Sequence, residues 1–299
     1  MKVFVTGAAG FIGRAVVEDL TKNGHEAIGL ARTDASAKKV TEAGGQVHRG
    51  DLEDLESLKS GAKAADGVVH LAFIHDFSEE GFAKALEADR AAIQAMGEAM
   101  EGTDNPLVIA GGLLLVAGID RADEDTTPAS LEDIFSQRGK SEVLVQTLST
   151  EKKIRGIAVR LAPTVHGKGD WGFVHMFGDF AKKNGYVTNV GDGSTRWPAV
   201  HRYDAAALFR LALEKGKAGA VYHASAEEIQ TGEIMKKVSE KVNLPVENKP
   251  QNEAMQSIGF FAIPVGADNP VSSEKTQKEL GWKPTQPKIL QDIEDNYEW

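Results

Sequence analysis

The sequence predicts an α/β fold, a doubly wound parallel sheet with helices on both faces. Over residues 1–161, short apolar runs typical of strands alternate with segments whose apolar residues recur at helical spacing. A glycine-rich turn at Gly7, Gly10 and Gly13 separates the first such pair. Because strands that alternate with helices are joined by right-handed crossovers, the strands of this sheet are expected to be parallel.

Six strands are expected in this region, at residues 2–6, 25–31, 47–49, 67–71, 106–110 and 156–161. Helices are expected from about residue 12 to 20, at 35–43, around 55–58, from 82 to 100 and at about 131–150. The longest of them carries Phe82, Leu86, Ile93 and Met96 at spacings of three, four and seven residues, which is typical of an amphipathic helix.

The glycine turn lies between a predicted strand and a predicted helix, the context that a dinucleotide fingerprint requires. Gly7 permits a tight turn, Gly10 lets a pyrophosphate approach the backbone, and Gly13 lets the helix pack on the strand. The helix opens at Phe11 and Ile12, where unpaired N–H groups and a partial positive charge favour phosphates. The turn therefore predicts a dinucleotide-binding Rossmann domain.

Beyond residue 163 the alternation of strands and helices breaks. Residues 164–195 are rich in glycine, histidine and aromatic side chains, residues 200–214 return to a strand and a helix, and the chain from 225 is mostly helical with several prolines. Ligands of open α/β sheets bind outside the carboxyl ends of the strands, so we expect this portion to cover a substrate. The predicted domains are residues 1–163 plus about 196–224, which form the Rossmann domain, and about 164–195 plus 225–299, which form a small substrate lobe.

The end of the second strand bears on the choice between NAD and NADP. Arg32 and Thr33 stand where NAD-binding proteins place an acidic residue for the ribose 2′-hydroxyl. A guanidinium binds phosphate oxygens bidentately, so this pair favours the 2′-phosphate of NADP over NAD. A solvent-facing Arg32 and a contact from Asp34 to the ribose remain alternatives. Asp51 and Leu52 are expected at the adenine, with helix capping by Asp51 as the competing interpretation.

The composition excludes several other classes of protein. The chain has 299 residues, 41% hydrophobic and 26% charged, with a net charge of −10, as is usual for soluble globular enzymes. It contains no cysteine, so disulfides and thiol nucleophiles are excluded, and a cytoplasmic location fits best. No basic run predicts nucleic-acid binding, and no apolar run approaches the roughly 20 residues that span a membrane. The expected partner is a small-molecule substrate.

An ordered set of short motifs resembles the extended short-chain dehydrogenase/reductase family, the NAD-dependent epimerase/dehydratases. The motifs lie at 6–13 (TGAAGFIG), 50–52 (GDL), 70–72 (HLA), 160–167 (RLAPTVHG), 191–193 (GDG) and 280–284 (LGWKP), and so cover essentially the whole chain. The resemblance implies two further sets of cofactor contacts: Leu71, Ala72 and Phe73 along the cofactor, and Pro163, Thr164 and Val165 beside the nicotinamide.

The resemblance fails at the family's catalytic centre, a Tyr and a Lys four residues later on the helix after strand five. None of the four tyrosines, Tyr186, Tyr203, Tyr222 and Tyr297, precedes a lysine at that spacing. One alignment places Arg138 at the Tyr position and Glu142 at the Lys position, with the family's Ser position near residues 112–113. A register shifted by one turn gives Ser136 and Lys140. Both registers lack the phenol, so the chain is expected to be an atypical member.

Histidines are the candidates to replace the phenol as catalytic proton donors, since imidazole titrates near neutral pH. His75 follows the fourth strand, His166 follows the sixth, and His201 follows the strand that edges the substrate cleft in the family. Each could equally be a surface or structural residue. His166 and His175 also form a possible metal pair, but no third ligand stands at a recognisable spacing, so no metal is expected.

Four residues are expected to line the substrate pocket: Asp76, Leu113, Trp171 and Trp197. The two tryptophans, together with Phe173 and Phe177, either wall an apolar pocket or form the core of the lobe.

Arg196 stands where family members that bind nucleotide sugars often hold a diphosphate, and only Arg202 lies nearby in the sequence as a second arginine. A nucleotide sugar is therefore disfavoured, and a neutral carbonyl, enone or imine compound fits better.

The sequence thus predicts an NADPH-dependent oxidoreductase that reduces a small organic substrate without the usual Tyr/Lys pair. The alternatives are a catalytically silent NADP-binding redox sensor and a sugar-type epimerase that retains its cofactor. A homodimer is a further expectation, because the apolar stripe of the long helix could pair across a twofold axis. The same stripe equally serves its own sheet.

Overall fold

A parallel seven-stranded sheet is the centre of the computed structural model, which describes residues 1–76, 78–131 and 136–299. The strands of the protein are β1 Lys2–Thr6, β2 Glu26–Ala31, β3 Gln46–Arg49, β4 Gly67–His70, β5 Pro106–Gly112, β6 Arg155–Leu161, β7 Thr164–His166, β8 Val187–Val190, β9 Arg196–His201, β10 Val221–Ala224, β11 Glu227–Gln230 and β12 Val246–Lys249.

The helices flank this sheet and build most of the C-terminal portion. They are α1 Phe11–Lys22, α2 Asp34–Glu42, α3 Leu55–Lys63, α4 Glu79–Ala99, α5 Gly139–Glu151, α6 Phe173–Asn184, α7 Arg202–Lys215, α8 Thr231–Val242, α9 Gln251–Ile258, α10 Ala262–Val265, α11 Glu274–Leu280 and α12 Ile289–Asn296. No helix in the described ranges is long and apolar enough to cross a bilayer.

The order of the large sheet is β10-β6-β5-β4-β1-β2-β3, and every neighbouring pair is parallel. The strand order changes direction beside β1, which pairs with both β2 and β4. In sheets of this kind the ligand crevice opens at that point, outside the carboxyl ends of the strands. The predicted α/β fold with a doubly wound parallel sheet is confirmed.

One helix prediction is wrong at its start. The helix expected from residue 131 begins at Gly139, after a short 3₁₀ turn at Ser136–Arg138, and residues 132–135 of that prediction lie outside the described residues. A Cβ on Gly139 would lie 2.5 Å from the side chain of Leu131. Residues eight apart on one helix would be about 12 Å apart along its axis, so Leu131 and Gly139 do not belong to one continuous helix.

The hydrophobic core has three parts. One lies between the large sheet and helices α1 and α7, and a second lies on the opposite face under α3, α4 and α5. The third joins α6, α8, α9 and α12 around Trp197. Strand β9 belongs to two of these cores, since Trp197 and Ala199 pack in the third and Val200 in the first.

Leu280 and Trp282 pack in the first core although they lie near the C-terminus. The indole N–H of Trp282 donates to the carbonyl of Asp204, and the Asp204 carboxylate accepts from the amides of Thr285 and Gln286. We propose that the two domains follow these cores, with residues 280–282 joined to the Rossmann domain.

Candidate active site

The turn after β1 is packed so tightly that a side chain at Gly7 or Gly13 would clash with backbone atoms. Gly7 has a φ of +67°, and a Cβ there would lie 2.8 Å from the backbone nitrogen of Ala72. A Cβ on Gly13 would lie 2.0 Å from the carbonyl oxygen of Gly7. The amide of Gly10 donates to the same oxygen at 2.9 Å and closes the turn. The sequence between β1 and α1 therefore fixes a backbone cradle beside the end of β4.

Helix α1 differs from its neighbours in how its N-terminus is capped. Thr33, Asp54 and Ser78 cap α2, α3 and α4 with their side chains. Gly10 precedes α1 without a side-chain cap, and the first turn holds no acidic residue. The N–H groups in the first turn of α1, which holds Phe11 and Ile12, and the partial positive charge there are available to an anion. The cradle and this turn therefore fit a dinucleotide pyrophosphate.

A buried chain of hydrogen bonds supports this cradle. Thr6 Oγ1 lies 2.7 Å from His70 Nδ1, and His70 Nε2 lies 3.2 Å from Asp89 Oδ1. Ser141 Oγ donates to the other oxygen of Asp89 at 2.6 Å. Burial alone would raise the pKa of Asp89, but the hydrogen bonds from His70 and Ser141 and nearby positive charge lower it. All four side chains are buried, so the network joins β1, β4, α4 and α5.

The same network positions the chain after β4. Thr6 Oγ1 accepts hydrogen bonds from the amides of Leu71 and Ala72, each at 3.2 Å. Leu71, Ala72 and Phe73, the residues expected to line the cofactor, are each partly buried beside the cradle. Sequence reasoning missed Asp89 and Ser141. Their signal was a polar residue at helical spacing within the apolar stripe of α4 or α5.

The residues expected at the adenosine end lie at the carboxyl ends of β2 and β3. Arg32 is 75% exposed, and its Nη1 lies 3.5 Å from Asp51 Oδ2. The hydroxyl of Thr33 accepts from the Ser36 amide at 3.1 Å in a capping box of α2. Asp34 forms an ion pair with Arg49 at 2.5 Å.

Asp51 does not cap the helix that follows it, because that cap is supplied by Asp54, whose carboxylate accepts from the Ser57 amide at 3.2 Å. The Asp51 carboxylate instead accepts from the Glu53 amide and faces Arg32. Leu52 packs against the core under α3.

The residues expected beside the nicotinamide follow β6. Pro163 and Val165 are partly buried, and Val165 packs against the first core. Thr164 is buried, and its hydroxyl donates to the carbonyl of Pro198 at 2.7 Å. That bond ties β7 to β9.

Two of the histidine candidates lie together at the ends of β7 and β9. His166 Nδ1 pairs with Asp292 Oδ2 at 2.8 Å, both buried, and the rings of His166 and His201 are 5.3 Å apart. His201 Nδ1 accepts from the Tyr203 amide and caps α7. Burial lowers the pKa of His201 to about 4, helped by the charges of His166 and Arg202 and opposed by Asp292. Structural contacts thus hold both rings.

The third histidine candidate lies in a different group. His75 is exposed, and its ring contacts Trp171 at 5.1 Å and Phe73 at 5.7 Å between ring centres. The guanidinium carbon of Arg138 lies 4.1 Å from the centre of the Phe73 ring. Partial desolvation and then the charge of Arg138 lower the pKa of His75. The structure therefore brings His75, Phe73 and Trp171 together with Arg138, which the sequence had marked only by alignment.

The two positions aligned with the family's Tyr and Lys have different partners. Glu142 accepts two hydrogen bonds from Arg160, at 2.9 and 2.7 Å, and both side chains are buried. Arg160 also donates to the carbonyl of Thr126. Glu142 therefore pairs with Arg160. Lys140, the lysine of the shifted register, is exposed.

The residues expected to line the substrate pocket lie in four environments. Asp76 is exposed and accepts from the Ser78 hydroxyl at the start of α4, and Trp171 is 53% exposed. Leu113 is fully buried in the first core. Trp197 is fully buried, and its indole N–H donates to the carbonyl of Pro264.

The other aromatic side chains around Trp197 also pack inward. Phe173 and Phe177 lie 5.4 and 6.4 Å from it between ring centres, in the third core. Trp197, Phe173 and Phe177 therefore form part of the core of the lobe, and Trp171 is exposed to solvent. Arg196 forms a two-point ion pair with Asp268, with its shortest contact at 2.5 Å.

His166 and His175 do not share partners. His175 lies 3.5 Å from Asp179 and stacks on Trp299, whereas His166 faces Asp292. Across residues 1–76, 78–131 and 136–299, no group of three or more His, Cys, Asp and Glu side chains is arranged to hold a metal ion.

Comparison with known proteins identifies related chains. The sequence profile of the NAD dependent epimerase/dehydratase family matches residues 3–225. An uncharacterized protein of Saccharomyces cerevisiae is 44% identical over 300 residues, which cover 99% of each chain. Sterol-4-alpha-carboxylate 3-dehydrogenase, decarboxylating, of Dictyostelium discoideum is 25% identical over 232 residues, 74% of this chain and 70% of that protein.

Among solved structures, UDP-glucose 4-epimerase of Thermus thermophilus in complex with NAD superposes with a TM-score of 0.77. It is 22% identical, and the match covers 99% of this chain and 97% of that one. At this identity the likeness establishes a shared fold.

Proposed function

The chain belongs to the NAD dependent epimerase/dehydratase family, and on that premise we propose that it is an NADPH-dependent oxidoreductase that reduces a small carbonyl, enone or imine compound. The observation that carries the proposal is the uncapped N-terminus of α1 behind the glycine cradle. Members of the family include oxidoreductases, epimerases and dehydratases that bind NAD(P). The dehydrogenase named above supports a redox reaction.

The proposed preference for NADP rests on the charges at the ends of β2 and β3. Arg32 is mostly exposed and lies at the outer limit of an ion pair with Asp51, so its guanidinium is open to a phosphate. Asp34, the carboxylate that could reach a ribose hydroxyl, forms a surface ion pair with Arg49. The open guanidinium of Arg32 favours a 2′-phosphate over a free 2′-hydroxyl.

Bound NADPH would supply a hydride to the substrate. The substrate is proposed to lie at the carboxyl ends of β4 and β5, between Phe73, His75, Trp171 and Arg138. When the carbonyl carbon gains a hydride, its C–O π electron pair moves to oxygen, which then takes a proton. His75 is exposed, so it is proposed to pass that proton from solvent. The lowered pKa of His75 keeps its ring mostly neutral at pH 7. His75 is therefore proposed to pass on a proton from water instead of carrying one before the reaction.

The test measures NADPH consumption against a panel of small aldehydes, ketones, enones and imines. We expect turnover with at least one class, and we expect His75→Gln to lower kcat by about tenfold or more with NADPH affinity unchanged. His175→Gln, a half-exposed histidine of α6 with other partners, is the matched control.

Two results would replace the proposal. Micromolar NADPH binding without turnover on any compound supports the redox sensor, a candidate favoured by the locking of Glu142 onto Arg160. A nucleotide that co-purifies with the protein, with no net oxidation, supports the epimerase.

A further inference from the structure

We propose that Arg138 binds an anionic group of the substrate, and that the compounds reduced are small oxo acids, carbonyl compounds that carry a carboxylate. This inference rests on the proposed function and names its substrate class. It departs from the neutral substrate that the sequence favours, because the structure places a positive charge where the substrate is proposed to lie.

Arg138 is positioned by two neighbouring strands. It is the last residue of the turn that precedes α5, and its Nη2 lies 3.4 Å from the carbonyl oxygen of Ala110 in β5. Its guanidinium also covers the ring of Phe73, three residues beyond β4. β4 pairs with β5 on one side and with β1 on the other. The guanidinium therefore lies on the same edge of the sheet as the glycine cradle.

Within the residues that the structure describes, no carboxylate is bonded to the guanidinium of Arg138. Its side chain is half-buried, and its Nε is enclosed without a hydrogen-bond partner in the described part of the chain. Asp89 is the carboxylate whose charge acts on it, but one oxygen of Asp89 pairs with His70 and the other accepts from Ser141. Arg138 is partly removed from water with a long bond to one carbonyl and a bare Nε, which is costly for a cation, so a bound anion would stabilise this arrangement.

Three other arginines each have a carboxylate partner. Glu142 binds Arg160, Asp268 binds Arg196, and Asp19 lies 2.7 Å from Arg210. Within residues 1–76, 78–131 and 136–299 no carboxylate forms an ion pair with Arg138. A substrate diphosphate has little to gain at Arg196, whereas a carboxylate at Arg138 would complete the missing pair.

Replacement of the family's tyrosine by Arg138 changes what a side chain at this position can do. A phenol donates and recovers a proton, but a guanidinium stays protonated throughout the accessible pH range and presents a planar fork of N–H donors. Such a fork matches both oxygens of a carboxylate, and the Phe73 ring holds its plane. Arg138 is thus proposed to anchor the acid group, while His75, whose ring also contacts Phe73, serves the carbonyl oxygen.

The experiment compares oxamate, a small oxo-acid analogue, with its neutral isostere oxamide. Both are titrated by calorimetry into the protein saturated with NADP⁺. We expect oxamate to bind about tenfold to 100-fold more tightly than oxamide, as charge-assisted hydrogen bonds imply. Arg138→Met should remove this preference and Arg138→Lys should restore part of it. Arg196→Met, which removes a charge already paired with Asp268, is the matched control.

Several outcomes would overturn the inference. These are equal binding of the two probes, binding of neither at millimolar concentration, or a loss of oxamate binding in Arg196→Met instead of Arg138→Met. Circular dichroism and NADPH affinity show whether each variant is folded. If Arg138→Met does not fold, the wild-type preference and Arg138→Lys decide. A wild-type protein that binds no NADPH would instead refute the proposed function, so the two failures are distinguishable.

Discussion

Two candidate sites on one edge of the sheet differ in the atoms that form them. These are the cradle after β1 and the start of α5 after β5. The cradle is formed by backbone atoms, and added Cβ atoms at Gly7 or Gly13 would clash with other backbone atoms. At the start of α5 the site is formed by side chains, and Arg138 and Glu142 stand at the family's Tyr and Lys positions in one of the two possible registers. Side chains can be exchanged when each buried charge finds a partner, whereas a backbone clash has no local remedy.

The largest effect is expected from restoring the family's lysine. Glu142→Lys would bury a second cation beside Arg160 and remove the partner of the first. Such a change should lower the free energy of unfolding by about 3–5 kcal/mol, measured by urea denaturation. Glu151→Lys, an exposed substitution on the same helix, should change it by less than about 0.5 kcal/mol. A stable Glu142→Lys protein with increased turnover would mean that Glu142 merely fills a catalytic position, which would break the contrast.

The cradle can be broken by one methyl group. Gly13→Ala places a Cβ 2.0 Å from the Gly7 carbonyl oxygen and must push α1 away from β1. Overpacking of this kind costs about 1–3 kcal/mol of stability. Because it also displaces the N–H groups that open α1, NADPH affinity should fall by about tenfold to 100-fold, measured by fluorescence titration. Gly111→Ala is the control, because its Cβ would meet its nearest neighbour at an ordinary 3.5 Å. Equal affinities for the two variants would show that the turn does not bind the phosphates.

A pH experiment tests whether His201 belongs to the supporting structure. Its folded pKa of about 4 lies below its ordinary value of 6.5, so the unfolded chain binds more protons between these values. Its contribution to stability is therefore complete above pH 6.5 and is lost as the pH falls towards 4. At pH 5 the loss is about 2 kcal/mol.

His201→Asn keeps a cap for α7 and removes the titrating ring. Its unfolding free energy should change less between pH 8 and pH 5 than that of the wild type, whatever its value at pH 8. An unchanged pH dependence would contradict the role assigned to burial.

The smallest effect is expected at Arg32 and tests the preference for NADPH over NADH. Arg32→Ala should weaken NADPH binding by about tenfold, as expected for the loss of one charge-assisted contact, and should leave NADH binding within about twofold. Lys38→Ala removes an equal, exposed charge from α2 and is the control. Equal losses for NADPH and NADH would refute the phosphate role of Arg32.

The parts that sequence reasoning predicted are those with a local cause. Strands β1 to β6 and the glycine turn follow from apolar periodicity and from spacings within a few residues. The start of α5 was misplaced because the side chain of Leu131 lies beside Gly139, an approach that one continuous helix does not allow and that helical periodicity does not reveal. Asp89 and Ser141 were missed for a similar reason. Their partner Thr6 lies in the first strand, and only the sheet brings them together.

By itself, the sequence determined the alternation of strands and helices and the glycines of the cradle, because both depend on neighbours along the chain. The tertiary structure decided which charges are compensated. Arg160 pairs with Glu142, and His166 pairs with Asp292, which lies 126 residues further along the chain. Arg138 pairs with no carboxylate within the described ranges. The physical reason is that the free energy of a buried charge depends on the partners within a few ångströms of it, and the fold chooses those partners.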